Sequence, residues 1–226
     1  MVLDATTDIA ALVQECRARL NSAAISDSLD SFGYHNQVLA PGIKAVDPAL
    51  VLCGLARVGI YMPLYHDDEN TKVYEHEIAL VDSLKRDEVA VLCCHGILRT
   101  SPWGELLSER SRYLGAAGCL TDGSVRDTRR IRDLKFPVYS GGTNPMDTKY
   151  RGKLMLYDVP GEICGVRVES GDLVFGDVDG TVIVPKAIMR EALDKALAKV
   201  AAENVVRDEI RAGHSLVDIF DRHGIL

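Results

Sequence analysis

An α/β fold is predicted for this chain by three features of its sequence. Short apolar runs rich in β-branched residues alternate with stretches whose apolar side chains recur at helical spacing. Two of the apolar runs give way directly to helix-start signals, as strands do in βα units. No repeat, linker or low-complexity stretch divides the 226 residues, a length ordinary for one domain.

The elements follow in order. Ile9, Leu12, Val13, Cys16 and Leu20 recur at helical spacing after Thr7 and Asp8, so an amphipathic helix opens the chain. A second helix around residues 22–32 is closed by Gly33. Residues 51–62, VLCGLARVGIYM, read as a strand, and so do residues 89–95, VAVLCCH, with a helix around residues 74–85 between them. Ser101 as cap and Pro102 at the first helical position predict a helix from Pro102 to Gly115. The strand AGCLTD comes next, Gly123 makes the turn, and a helix SVRDTRRIRDL stops before Phe136 and Pro137. The strand PVYS leads into GGTNPMDTKYRGK, residues 141–153, a loop long enough to be functional or mobile. Four short β-runs follow, LMLYDV, CGVRV, DLVFGD and GTVIVP, the last two joined as a hairpin through Val178, Asp179 and Gly180. A long helix over residues 186–211 and the segment SLVDIFDRHG end the chain. The expectation is one domain over residues 1–226, with N-terminal helices at about 8–33 and a C-terminal helical tail at about 186–222.

Composition bounds the function. The net charge of −7, with 26% charged residues, disfavours a general nucleic-acid or anionic-membrane surface. The first residues do not read as a secretory signal, and no apolar stretch approaches the ~20 residues of a membrane span. The six cysteines form no CxxC pair and mostly sit in apolar runs, where a thiol behaves as a small hydrophobe. A reduced, cytoplasmic protein without a zinc site is expected. Cys93, Cys94 and His95 are adjacent on a strand, so their side chains alternate between faces and cannot simply chelate.

One cluster stands out. TDGSVRD, residues 121–127, packs two acids, a glycine and an arginine behind an apolar run. Asp-Gly is turn chemistry, and Arg126 with Asp127 can serve as surface charge at a helix start. Yet strand, tight turn and helix place both residues in the first helical turn at a strand's carboxyl end, where open α/β folds bind ligands and backbone N–H groups favour anions. A second helix start, SPWGELL, also follows a buried strand, so two helix N-termini can face one crevice.

WGELL, GAAGCLTDGSVRDTRRI, PVYSGGTNP and GDLVFGDVDGTVIVP, in that order, resemble the RraA-like family over roughly residues 20–205. That family holds 4-hydroxy-4-methyl-2-oxoglutarate / 4-carboxy-4-hydroxy-2-oxoadipate aldolases and the regulator of ribonuclease activity A. The resemblance implies a swivelling β/β/α-type single domain of mixed sheets flanked by helices, assembled as a homotrimer or hexamer. The aldolases are described by an acid, twenty intervening residues, then Arg-Asp. Glu105 stands at the acidic position, with Leu106 through Val125 between it and Arg126 and Asp127. The usual acid there is aspartate, so this carboxylate reaches one methylene further.

The activity implied is a divalent-metal pyruvate aldolase in which Asp127 ligates Mg²⁺ or Mn²⁺ and waters fill most other positions, a sparse set that suits magnesium. Arg126 would pair with the carboxylate and carbonyl oxygen of a small 2-oxo acid and help hold the enolate. Glu105 would orient a water for proton transfer, and the backbone amides of Gly104, Glu105, Leu106 and Leu107 would receive the substrate carboxylate. Decarboxylation of oxaloacetate gives the same enolate, and no Schiff-base lysine is needed, Lys149 and Lys153 notwithstanding. The implied rivals are a noncatalytic regulator that binds ribonuclease E and a relative acting on a different 2-oxo or hydroxy acid. No glycine-rich strand-to-helix turn followed by an acid offers a methyl-donor site.

Other polar residues carry weaker signals. Lys149 or Arg151 can meet a distal carboxylate or phosphate, or belong to a solvated basic loop. His66, Asp67, Asp68, Glu75, His76 and Glu77 have the composition of metal ligands, but helical packing sets Glu75 and His76 on different faces. Asp27 falls where the family also carries aspartate, or caps its helix. Asp172, Asp177 and Asp179 with Gly180 flank a hairpin, where turn chemistry outweighs metal binding. Trp103 either walls a pocket or packs.

Overall fold

A computed structural model describes residues 5–66 and 72–224. Its spine is a set of parallel strands laid side by side in chain order: β2 (Leu52–Pro63), β3 (Glu88–Cys93), β4 (Gly118–Val125) and β5 (Val138–Thr143), after the short β1 (Lys44–Ala45). Parallel neighbours need crossovers, and each is a helix: α3 (Glu75–Asp82), α4 (Glu105–Leu114) and α5 (Thr128–Leu134). α1 (Ala5–Arg19) and α2 (Ser22–Ser31) precede them.

The rest of the sheet is antiparallel. β1 pairs with the edge of β5. β2 is long enough to share its other edge between β6 (Gly152–Tyr157), along Gly59–Pro63, and β9 (Leu173–Gly176), along Leu52–Leu55. β10 (Thr181–Val184) closes that side, and β7 (Gly161–Ile163) with β8 (Val166–Val168) forms a separate hairpin. The 3₁₀ turn Lys186–Ile188 then leads into α6 (Met189–Arg211), and α7 (Leu216–His223) follows.

The sheet is covered on both faces, which is why its strands read as continuous apolar runs. On β3, Val89, Val91 and Cys93 pack with Ile163, Val166 and Val168 on one face. Ala90 and Leu92, with Cys94 just beyond, pack on the other with Leu80 of α3, Ile131 of α5 and Trp103. A third cluster joins α1, α2 and α6 to β9 and β10 through Leu12, Ile25, Leu29, Leu193 and Phe175. Each such side chain, fully withdrawn from water, contributes about 1.5–3 kcal/mol.

All six cysteines are free, and Cys93 and Cys94 do point to opposite faces. Burial pushes the Cys93 thiol up to about 12, the behaviour of a packed hydrophobe. Among the described residues no helix is long and apolar enough to cross a membrane. Asp177 accepts from the Asp179 N–H at 3.0 Å and Asp172 from the Glu169 N–H at 2.8 Å, which is turn chemistry, but each also makes a distant tie, Asp177 to the Ser22 N–H and hydroxyl, both at 2.7 Å, and Asp172 to the Lys186 N–H at 2.8 Å.

Four expectations need correction. The helix predicted from Pro102 starts at Glu105. Residues 100–103 instead run extended beside the end of β4, with Trp103 bridged to Val125 and its carbonyl accepting from the Arg126 N–H at 3.0 Å. Gly123 is not a turn: β4 continues through it to Val125 with a register shift between Thr121 and Ser124. A Cβ there would come within 2.9 Å of Cys94 Sγ, so this glycine serves close approach inside a strand. The loop predicted over residues 141–153 is shorter, because β5 takes in Thr143 and β6 begins at Gly152. Asp27 caps nothing; it lies inside α2 and pairs with Lys199, while Asn21 is the cap.

Candidate active site at the strand ends

Three parallel strands end on one side of the sheet, and the segments that leave them converge. After β4 come Arg126 and Asp127, after β5 the loop with Asp147, and after β3 the extended segment that delivers Trp103 and Gly104 to the start of α4. With Tyr74 and Glu77 of the α3 region they line a cleft of about 240 Å³, a size for a small acid. It lies in the crevice outside the carboxyl ends of the strands, where open α/β sheets place their ligands.

Neither Arg126 nor Asp127 is in the first helical turn predicted for both: Arg126 lies between β4 and α5, and Asp127 is the residue before the helix, with φ 58° and ψ 29°. Left-handed backbone is tolerable for aspartate, and here it turns the carboxylate back toward α4. Asp127 Oδ2 accepts from the Glu105 N–H at 3.3 Å and lies 3.7 Å from Arg126 Nε. The other end of the Arg126 guanidinium, Nη1, is 3.3 Å from Asp147 Oδ1. Asp147 is fixed in turn by the Thr148 N–H at 2.7 Å and by the Tyr74 hydroxyl. Burial opposes its ionisation, but Tyr74, Thr148 and Arg126 outweigh that and hold its carboxyl below the usual range. Arg126 is therefore a cation spanned between two carboxylates and half open to the cleft.

The start of α4 is built from Trp103 and Ser108. The buried indole Nε1 donates to Ser108 Oγ at 2.8 Å, and that hydroxyl donates to the Gly104 carbonyl at 2.9 Å, fixing the turn where helix begins. Trp103 thus both packs and walls the cleft. Gly104, Leu106, Leu107, Arg126 and Asp127, predicted from sequence, all line it; Glu105 contributes its N–H, and its side chain is not part of the lining.

Sequence reasoning missed Tyr74 and the service of Asp147 to Arg126, and it grouped Glu77 with metal ligands rather than with this cleft. Glu77 is buried against Tyr61, whose hydroxyl donates to Oε2 at 2.8 Å. His76 accepts its place elsewhere, with Nδ1 2.9 Å from the Met155 carbonyl, and His66 is not in the lining. Asp67 and Asp68 lie outside the described residues. Arg151 Nη1 donates to the carbonyls of Asp147 and Lys149, bracing the loop rather than reaching the cleft, and the Lys149 ammonium sits over the Tyr150 ring. Among the described residues no group of three or more His, Cys, Asp or Glu is placed to hold a metal ion.

Comparison with known proteins gives a consistent picture. A family model described as RraA-like, Aldolase/RraA, matches residues 22–183. Protein DlpA of Legionella pneumophila is 27% identical over 196 residues, 87% of this chain and 31% of that protein. A Halalkalibacterium halodurans protein named "Putative 4-hydroxy-4-methyl-2-oxoglutarate aldolase" is 32% identical over 129 residues, 55% of this chain and 61% of the other. The chain thus spans about a third of the first relative and under two thirds of the second. Among solved structures, Streptomyces coelicolor RraAS2, described as an unusual member of the RNase ES inhibitor RraA protein family, superposes with a TM-score of 0.76 at 29% identity over 92% of this chain and 98% of that one. The mixed sheet flanked by helices, expected as a swivelling β/β/α domain, is the fold of that neighbour.

Proposed function

This chain belongs to the RraA-like family, and on that premise we propose that it is a divalent-metal-dependent lyase cleaving a small 4-hydroxy-2-oxo acid to pyruvate and a second carbonyl compound, with oxaloacetate decarboxylation as a side activity. The observation that carries this reading is the meeting of Arg126, Asp127 and the start of α4 in one cleft at the strand ends.

The donor chemistry fits Mg²⁺ or Mn²⁺. Asp127 offers a half-exposed carboxylate on an open cleft with no His or Cys in its lining, the setting for a hard cation that keeps most of its waters. When bound, the ion supplies Lewis-acid stabilisation of charge developing on the 2-oxo oxygen. Arg126 binds the substrate carboxylate and 2-oxo oxygen, and because Asp127 and Asp147 already orient it, little reorganisation is needed as charge builds. The N–H groups opening α4 receive the carboxylate, though that of Glu105 is shared with Asp127. Glu105, whose N–H meets Asp127, orients the water that takes the 4-hydroxyl proton. The C3–C4 bond then breaks, and its electron pair passes into an enolate facing Arg126.

The test is pyruvate release from a panel of 4-hydroxy-2-oxo acids and oxaloacetate, with Mg²⁺, Mn²⁺ or chelator. Arg126→Ala and Asp127→Asn abolish turnover while the fold survives; full metal-dependent rates in both place the site elsewhere. Glu105→Ala slows turnover about 10²–10⁴-fold, the range for losing a positioned proton-transfer group.

A second reading has the Streptomyces neighbour's description in its favour: a noncatalytic regulator that binds ribonuclease E. Tight stoichiometric binding to that enzyme without pyruvate release decides for it. Under either reading the assembly is a homotrimer or hexamer, measured by analytical ultracentrifugation.

A further inference from the structure

The inner wall of the cleft carries a carboxyl that the steps above leave without a task. Glu77 stands three and four residues before Leu80 and Val81, so it belongs to the stripe of α3 that faces the sheet. It is 7% exposed and lines the cleft. Tyr61, itself 1% exposed, donates to Glu77 Oε2 at 2.8 Å and is also hydrogen-bonded to Thr148.

Among the described residues no cation pairs with Glu77, since Arg126 is directed to Asp127 and Asp147. The groups that face it are Tyr74 just before its own helix, Tyr61 on β2, Cys119 on β4, Arg126 beyond β4 and Asp147 beyond β5. Burial pushes its carboxyl up to about 7; Tyr61 opposes this, Asp147 adds to it and Arg126 opposes it. A carboxyl that keeps part of its proton near neutrality thus lines the same cleft as Arg126.

We propose that Glu77 is the acid that protonates C3 of the enolate and completes pyruvate, a catalytic role that rests on the lyase reading. Once the C3–C4 pair has entered the enolate, the Glu77 O–H bond breaks and its proton joins C3. The enolate electrons form that C–H bond, the 2-oxo carbonyl is restored, and Glu77 is left as carboxylate. The proton taken from the 4-hydroxyl returns to Glu77 through water, so the retro-aldol cycle balances without another reactant. In oxaloacetate decarboxylation carbon dioxide leaves instead, and Glu77 draws its next proton from solvent. Tyr61 is a positioning residue: with Oε2 engaged as acceptor, the acid proton belongs on Oε1.

Two measurements test this. Infrared titration of the metal-free protein shows a protonated carboxyl band that is lost with a midpoint near pH 7, is absent from Glu77→Gln, and shifts to higher pH in Tyr61→Phe, because Tyr61 favours the ionised form. With Mg²⁺ present, the methyl hydrogens of pyruvate exchange with D₂O, followed by NMR, and Glu77→Gln slows this about 10²–10⁴-fold while its affinity for pyruvate is kept. A band unchanged in Glu77→Gln overturns the proposal. So does an active parent whose Glu77→Gln variant exchanges at the parent rate, which removes Glu77 and leaves the lyase reading standing. A parent that shows the band but neither exchanges nor releases pyruvate overturns the lyase reading and this step with it.

Discussion

At the scale of single residues, Gly104 and Asp127 show two different demands that one site makes on its backbone. Gly104 has φ −154°, extended and open to any residue, so its requirement is space. A Cβ there would stand 2.7 Å from Asp127 Oδ2 and 3.2 Å from Arg126 Cγ. Both are atoms of side chains able to swing away, so Gly104→Ala leaves the melting temperature nearly unchanged yet lowers pyruvate release at least about 10-fold, in keeping with the sensitivity of catalysis to ~1 Å misplacement. Asp127 makes a different demand, on conformation rather than on space, with φ 58°. Asparagine tolerates that conformation and alanine resists it by roughly 1–2 kcal/mol. Asp127→Asn therefore loses activity at full stability, whereas Asp127→Ala also melts lower; equal melting of the two would contradict the strain argument.

At the scale of elements, α5 holds Asp127 with little of its own. Seven residues are far too few for an independent helix, and Ile131 is its one buried side chain, at 0% exposure. Ile131→Ala is expected to cost about 2–5 kcal/mol, and, because α5 fixes the residue before it, to lower turnover well below the melting temperature. Urea unfolding and pyruvate release, measured on the same variant, check both halves. The strand-to-helix junction at Arg126 and Asp127 was legible in the sequence because the pair is local: two adjacent residues at the end of an apolar run. The start of α4 was misread because Ser101 and Pro102 are a sound helix signal locally, and only the bridge from Trp103 to Val125 overrides it. Tyr61, Tyr74, Glu77 and Asp147 meet through sheet order and through the return of β6 along β2, which no local pattern encodes. Glu77 did leave a trace, an acid in register with Leu80 and Val81 on an apolar stripe.

At the scale of the whole molecule, the same acid couples stability to pH. Its native carboxyl titrates at about 7, above the ordinary range near 4.3, so the folded protein binds this proton more tightly than the unfolded chain does. The sign follows: below about pH 4 both states are protonated and Glu77 costs nothing, stability falls as pH rises from there to about 7, and above that the full penalty, of order 3 kcal/mol, persists. Asp147 acts in the reverse sense, its lowered carboxyl adding stability that is lost on acidification below the usual carboxylate range. It is present in parent and Glu77→Gln alike, so it cancels when the two are compared. Glu77→Gln removes the titration while retaining an oxygen to accept from Tyr61, and its stability relative to the parent should therefore grow between pH 5 and 8 by up to ~3 kcal/mol. Urea unfolding of both proteins across that range measures the difference directly. A pH-independent offset would mean that Glu77 is ionised throughout, and the cleft would then hold no proton to give.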